Sequence, residues 1–220
     1  FHSYQFRKML NISEIFYSLQ GESSFAGKLC VFIRFAGCNL RCKYCDTKYS
    51  YKSDLLLTIP KIIEKIEQYQ PTKLVEITGG EPLLQDEVYP LFEKLTNQNY
   101  EILLETNGSV NLEKVPNYVT KIVDIKCPES GESNSFLIKN LDFINLKKDE
   151  LKFVISNVSD YHFAKEFIQK NNLIKHKIIF SPVSNKIDFK KLAELIIKDK
   201  LPVRLQIQLH KIIWGDEKGV

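Results

Sequence analysis

The apolar and polar positions of this chain fall into short stretches of period two alternating with stretches of period 3.6. Residues 29–35 (LCVFIRF) form a β-rich apolar run bounded by glycines. TIPKIIEKIEQY then sets Ile59, Ile62, Ile63 and Ile66 at helical spacing, with Thr58 as the expected N-cap and Pro60 in the first turn. LVEITGGEP from residue 74 reads as a strand, DEVYPLFEKLTNQ from 86 as a helix, and EILLETNG from 101 and KIVDIKCP from 121 as strands. ELKFVISN from 150, a helix near 159–171, HKIIFSPV from 176, a helix near 188–199 and VRLQIQLH from 203 complete the series. Strands alternating with helical stretches predict parallel βα units, hence an α/β fold with mainly parallel strands. Residues 129–148 are less regular and are expected to cross the surface.

Polar residues on the strands interrupt this pattern informatively. Arg34 lies inside an apolar run, where an unpaired buried charge is expensive, so either the strand is an edge with Arg34 in water or Arg34 faces a cavity that holds an anion. Glu76 with Thr78, Glu105 with Asn107, and Asp124 with Lys126 each sit two apart near the carboxyl ends of their strands. VRLQIQLH alternates throughout, with Val203, Leu205, Ile207 and Leu209 on one face and Arg204, Gln206, Gln208 and His210 on the other. Carboxyl ends of parallel strands are where such folds bind ligands, and several polar pairs together point to a polar lumen.

Bulk properties narrow the class. At 220 residues one domain is expected, and 44% hydrophobic with 26% charged residues is ordinary for a globular protein. A net charge of +4 with dispersed Lys and Arg makes no case for nucleic acid or membrane. No apolar run approaches the roughly 18–20 residues of a membrane span. Five cysteines, three of them clustered, fit a reducing cytoplasm better than a disulfide framework. The lone Met9 suggests that residues 1–8 are a remnant preceding a single domain over 9–220.

The three clustered cysteines carry the strongest chemical signal. Cys38, Cys42 and Cys45 stand at CxxxCxxC spacing in GCNLRCKYCDT, directly after the first strand. Soft thiolates select zinc or iron-sulfur clusters. Three thiolates on a cubane leave one iron open to a ligand that is not protein. The alternative is a structural zinc site with a fourth ligand elsewhere, such as Cys30, Cys127 or His210. Cys30 and Cys127 are expected to be packed thiols.

With TGGEP at 78–82 one helix and one strand beyond it, this loop resembles the radical S-adenosylmethionine (SAM) enzymes. Within them the chain is similar to the 7-carboxy-7-deazaguanine synthase family, through SLQGES, FIRFAGCNLRCKYCDT, TGGEP, ETNG and the tail LQIQLHKIIWGDEKGV. The resemblance implies a partial, trimmed radical SAM (β/α) barrel. It implies a lyase that converts 6-carboxy-5,6,7,8-tetrahydropterin to 7-carboxy-7-deazaguanine with release of ammonia, in the queuosine precursor pathway. The implied cofactors are a [4Fe-4S] cluster on Cys38, Cys42 and Cys45, SAM, and Mg²⁺ on Thr47.

By the same resemblance Tyr44, Cys45, Asp46, Gly80, Glu81, Glu105, Asn107, Asp124, Ile125 and Lys126 would bind SAM, Glu81 through its ammonium. The substrate pocket would comprise Leu19, Gln20, Gly21, Glu22, Arg34, Thr78, His210 and the terminal carboxylate of Val220, with Arg34 and Glu22 orienting the pterin. Asp124-Ile125-Lys126 stands where many family members have Ser-Pro-Lys, which replaces a hydroxyl contact to SAM. A flavodoxin-like electron donor and a homodimer are further implied. The competing readings are an activase that installs a glycyl radical on a partner enzyme and a zinc-binding interaction module.

Overall fold

The computed structural model describes residues 9–220, so the expected remnant at 1–8 lies outside the described residues. Its nine strands form one open, mixed sheet in the order β3-β1-β2-β4-β5-β6-β7-β8-β9. These are β1 (Met9–Leu19), β2 (Leu29–Phe35), β3 (Leu56–Thr58), β4 (Leu74–Gly79), β5 (Glu101–Thr106), β6 (Thr120–Asp124), β7 (Glu150–Ile155), β8 (Lys177–Pro182) and β9 (Arg204–Leu205). β1 is antiparallel to both β2 and β3, and every pairing from β2 to β9 is parallel. The helices are α1 (Ile59–Glu67), α2 (Val88–Asn97), α3 (Val158–Lys170), α4 (Phe189–Asp199) and α5 (Leu209–Trp214).

Period-two alternation sorts the strand residues between two faces. Val75 and Ile77, Ile102 and Leu104, and Leu151, Phe153 and Ile155 belong to the main core with the apolar sides of the helices: Ile62, Ile63 and Ile66 of α1, and Leu91, Phe92 and Leu95 of α2. The other face is apolar towards the strands' beginnings, where Cys30, Phe32, Leu74, Leu103 and Ile122 pack as a floor. Further along, the same face carries Arg34, Glu76, Thr78, Glu105, Asp124 and Lys152, all lining one cavity. Residues 129–148 contain only short 3₁₀ turns, as expected.

Two local expectations change, and one strand was not anticipated. Thr58 occupies the N-cap of α1 but its side chain makes no capping bond. β1 was not legible as a strand, because its register shifts between Ile12 and Glu14, placing Ile12 and Ile15 on one face three residues apart instead of two. The expected strand over 203–210 is only Arg204–Leu205, and His210 lies in the first turn of α5. Strand pairing stops because the polar groups beyond β9 bond elsewhere. Gln206 Nε2 donates to the Ser23 carbonyl at 2.8 Å, Gln208 Nε2 to Glu22 Oε1 at 2.8 Å, and the Leu209 N–H to the Gly21 carbonyl at 3.0 Å. Ile207 consequently turns outward, 37% exposed, rather than joining an apolar face. These bonds stitch the loop after β1 to the far edge of the sheet and close the cavity that pairing leaves open.

Candidate active site

The cysteine loop leaves β2 through Gly37, whose φ of +89° suits glycine. Its N–H donates to the Ser50 carbonyl at 2.8 Å, which brings the far end of the loop back to its root. The Lys43 N–H donates to the Ser130 carbonyl at 3.0 Å, anchoring the middle of the loop to the turn after β6. Cys38, Cys42 and Cys45 are half-buried, carry no disulfide and line the cavity together. Leu40 N–H and Asn107 Nδ2 lie 3.4 and 3.8 Å from Cys38 Sγ, the kind of donors that surround cluster thiolates. Burial pushes the Cys38 and Cys42 thiols above their usual value, so binding a metal centre must displace protons. Among the described residues no group of three or more His, Cys, Asp or Glu is gathered around a single-ion position. Of the fourth ligands named for the zinc alternative, Cys30 is buried in the floor and Cys127 in the main core, whereas His210 lines the same cavity as the three thiols.

TGGEP abuts this loop directly. The Gly80 N–H donates to the Phe35 carbonyl at 3.1 Å and the Glu81 N–H to the Gly37 carbonyl at 2.8 Å. A Cβ on Gly80 would stand 1.9 Å from the Gly37 carbonyl oxygen, so this glycine is required by backbone-to-backbone contact as well as by room for a ligand. Gly80→Ala is expected to displace the cysteine loop and to cost roughly 1–3 kcal/mol. Thermal unfolding and iron content after reconstitution would check this; unchanged values for both would refute it.

Glu81, expected at the ammonium of SAM, lies outside the cavity lining. Its buried carboxylate accepts from Leu83 N–H at 3.1 Å, Asn107 N–H at 2.7 Å and the Thr106 hydroxyl, bracing the turn against β5. Burial outweighs these donors and pushes its acid up to about 7. Ile125 likewise turns into the main core. The other expected SAM positions, Tyr44, Cys45, Asp46, Gly80, Glu105, Asn107, Asp124 and Lys126, do line the cavity. Asp124 Oδ2 receives Lys126 Nζ at 2.7 Å, whereas Asp124 Oδ1 is buried without a partner. That unsatisfied acceptor, beside three free thiols and the Gly80 turn, fits a polar ligand with donors to spare.

Leu19, Gln20, Gly21, Glu22, Arg34, Thr78, His210 and Val220 line the same cavity. β2 is not an edge strand, and Arg34 faces the cavity; its Nε donates to Glu14 Oε1 at 2.7 Å. Lys152 Nζ donates to Glu22 Oε2 at 2.9 Å and also to Glu105, which accepts from the Thr78 hydroxyl at 3.0 Å. Burial draws the Lys152 ammonium down, but Glu105, Glu22 and Asp124 more than offset it, so it stays charged. Burial, with Glu105 and Glu22 nearby, pushes Glu76 well above the ordinary carboxylate value; Gln20 Nε2 bonds to it. Thr47 Oγ1 donates to Asp46 Oδ1 at 2.8 Å, and Lys211 pairs with Asp46 at 3.4 Å.

Glu14, Tyr49 and Lys152 were not anticipated, and Gln208 was expected only on the polar face of its strand. Lys152 interrupts ELKFVIS as Arg34 interrupts LCVFIRF, so the same reasoning would have found it. Glu14 was hidden by the unread β1.

Residues 32–125 match the model of the radical SAM superfamily, the class that fold and thiol loop already define. The 7-carboxy-7-deazaguanine synthase of Koribacter versatilis is 45% identical over 96% of this chain and 100% of its own length. That of Chlorobaculum tepidum is 43% identical over 96% of this chain and 97% of its own. The crystal structure of QueE from Escherichia coli superposes with a TM-score of 0.76 at 24% identity, covering 95% of this chain and all of that one, a likeness of fold. The chain belongs to the 7-carboxy-7-deazaguanine synthase family.

Proposed function

We propose that the chain converts 6-carboxy-5,6,7,8-tetrahydropterin to 7-carboxy-7-deazaguanine with release of ammonia. The observation that carries this is one cavity lined both by three free thiols and by a guanidinium held by Nε among buried hydrogen-bonding groups. When bound, the [4Fe-4S] cluster and SAM supply one-electron chemistry that activates a carbon-hydrogen bond of the substrate. Cys38, Cys42 and Cys45 hold the cluster. Tyr44, Gly80, Glu105, Asn107 and the Asp124–Lys126 strand end border the SAM site. Arg34 grips the substrate carboxylate in two-pronged fashion, while Gln20, Glu22, Thr78 and His210 bond the pterin edge. Thr47 would offer an oxygen ligand to Mg²⁺, which would supply an oxygen-seeking positive charge near the substrate.

A glycyl-radical activase would have to dock a protein, whereas resemblance along nearly the whole chain is to synthases. A flavodoxin-like donor, a homodimer and a cytoplasmic location complete the proposal. Among the described residues no helix is long and apolar enough to cross a membrane.

The test is anaerobic turnover of reconstituted protein with dithionite, SAM, Mg²⁺ and the carboxytetrahydropterin. Product in excess of SAM consumed supports the reading, and 5′-deoxyadenosine alone refutes the substrate. Arg34→Ala should retain the visible absorbance of the cluster yet lose turnover by about 100-fold or more, the scale of a lost charge-assisted pair of bonds. Full turnover in that variant would refute the carboxylate role.

A further inference from the structure

We infer that Glu14 is a positioning residue that aims Arg34 at the substrate carboxylate, and that the irregularity in β1 exists to put it there. The inference rests on the proposed role of Arg34.

From Glu14 to Leu19 the β1-β2 register pairs Glu14 with Arg34 and Leu19 with Leu29, but at the other end Ile12 pairs with Phe35. Continued back without the shift, the Ile12 register would set Ser13 opposite Arg34 and turn Glu14 to the helix-covered face. One extra residue therefore moves the carboxylate from the core face of the sheet to the face that carries Arg34, the re-aiming that a β-bulge performs.

Once there, Glu14 Oε1 takes two donors: Arg34 Nε at 2.7 Å and the Tyr49 hydroxyl at 2.8 Å. The Arg34 guanidinium carbon stands 5.6 Å from the Phe16 ring centre and 5.9 Å from that of Tyr49, so two rings fix its sides. The side chains of Arg34 and Glu14 are 16% and 24% exposed, buried enough to restrict their rotation. A guanidinium has five N–H donors in a rigid plane. Committing Nε to Glu14 leaves the two terminal amino groups as the fork that meets an incoming carboxylate end-on. Tyr49 follows the cysteine loop, so the same carboxylate oxygen ties the substrate arm to the loop bearing the thiols. This is pre-organisation: the rotamer entropy of a long side chain is spent on folding rather than on binding.

The test compares binding of carboxytetrahydropterin with binding of 6-methyltetrahydropterin, which lacks the carboxylate, in cluster-loaded, SAM-bound protein under anaerobic conditions. The readout is the ratio of the two dissociation constants, alongside KM and kcat. Glu14→Ala is expected to shrink the preference for the carboxylated ligand about tenfold, raising KM more than it lowers kcat. In an Arg34→Ala background the same change should cost nothing further, because Glu14 acts through Arg34. Glu14→Gln keeps an acceptor but loses the charge and should give an intermediate loss of about threefold.

If Arg34→Ala removes the preference while Glu14→Ala and Glu14→Gln retain it, or if the losses add in the double variant, Glu14 has no positioning role. If Arg34→Ala itself keeps the preference, the carboxylate reading of Arg34 fails instead. Should Glu14→Ala not fold, the glutamine variant decides: a preference equal to that of the unaltered protein overturns the inference.

Discussion

Replacing Lys152 by methionine is expected to destabilise the protein by about 3 kcal/mol and to abolish turnover, because it strands the charges of half-buried Glu22 and Glu105 rather than merely removing a contact. Lys152 is 4% exposed, and its ammonium is the shared partner of Glu22 and Glu105. Methionine nearly conserves the volume, so the loss is electrostatic. The pH dependence has a definite sign. Against the upward effect of burial, Lys152 and the Thr78 hydroxyl hold Glu105 below its ordinary value. A depressed folded-state value gives stability that is present above the unfolded value and lost as pH falls. The gap between the two proteins should therefore be wide at neutral pH and should close only as pH falls below the ordinary carboxylate value. Denaturant unfolding across that range measures it, and equal midpoints at neutral pH would refute the claim. Adding Glu22→Gln and Glu105→Gln to Lys152→Met should recover much of the stability, since neither half-buried carboxylate is then left without its cation, while turnover stays lost.

Cys42→Ala is expected to bring iron and sulfide content to background and turnover with them, at little cost in folding. The thiol is half-buried in a loop held by backbone bonds at Gly37 and Lys43, so the apoprotein should lose no more than about 1 kcal/mol. Cys30→Ala is the matching control. Its sulfur is buried in the floor at the opposite end of β2, where the change deletes packing worth roughly 1 kcal/mol and leaves iron content intact. Iron retained in Cys42→Ala, or lost in Cys30→Ala, would refute the ligand assignment.

Arg34 and Lys152 show how a site becomes legible. Each is a cation inside an apolar strand, too costly unless something polar faces it, and both prove to line the cavity. Glu81 shows the opposite. The motif marked it as a ligand contact, but its position after two glycines that press on Phe35 and Gly37 leads the carboxylate under the turn, where backbone donors claim it. His210 was expected on the polar face of a strand and reaches the cavity from a helix instead, held beside Gly21, where a Cβ would come within 2.1 Å of its Nδ1.

The sequence by itself determined the parallel βα order, the thiol loop after the first parallel strand, the glycine turn beside it and the polar ends of the strands. Those features are local: periodicity, spacing and the cost of burying charge operate within one segment. Only the tertiary structure decided which charge meets which. The register shift in β1, the pairing of Lys152 with Glu22 and Glu105, and the closure of the open sheet by Gln206 and Gln208 join segments about 20 to more than 180 residues apart. Partners at that distance are set by register and strand order, which no single stretch of sequence encodes.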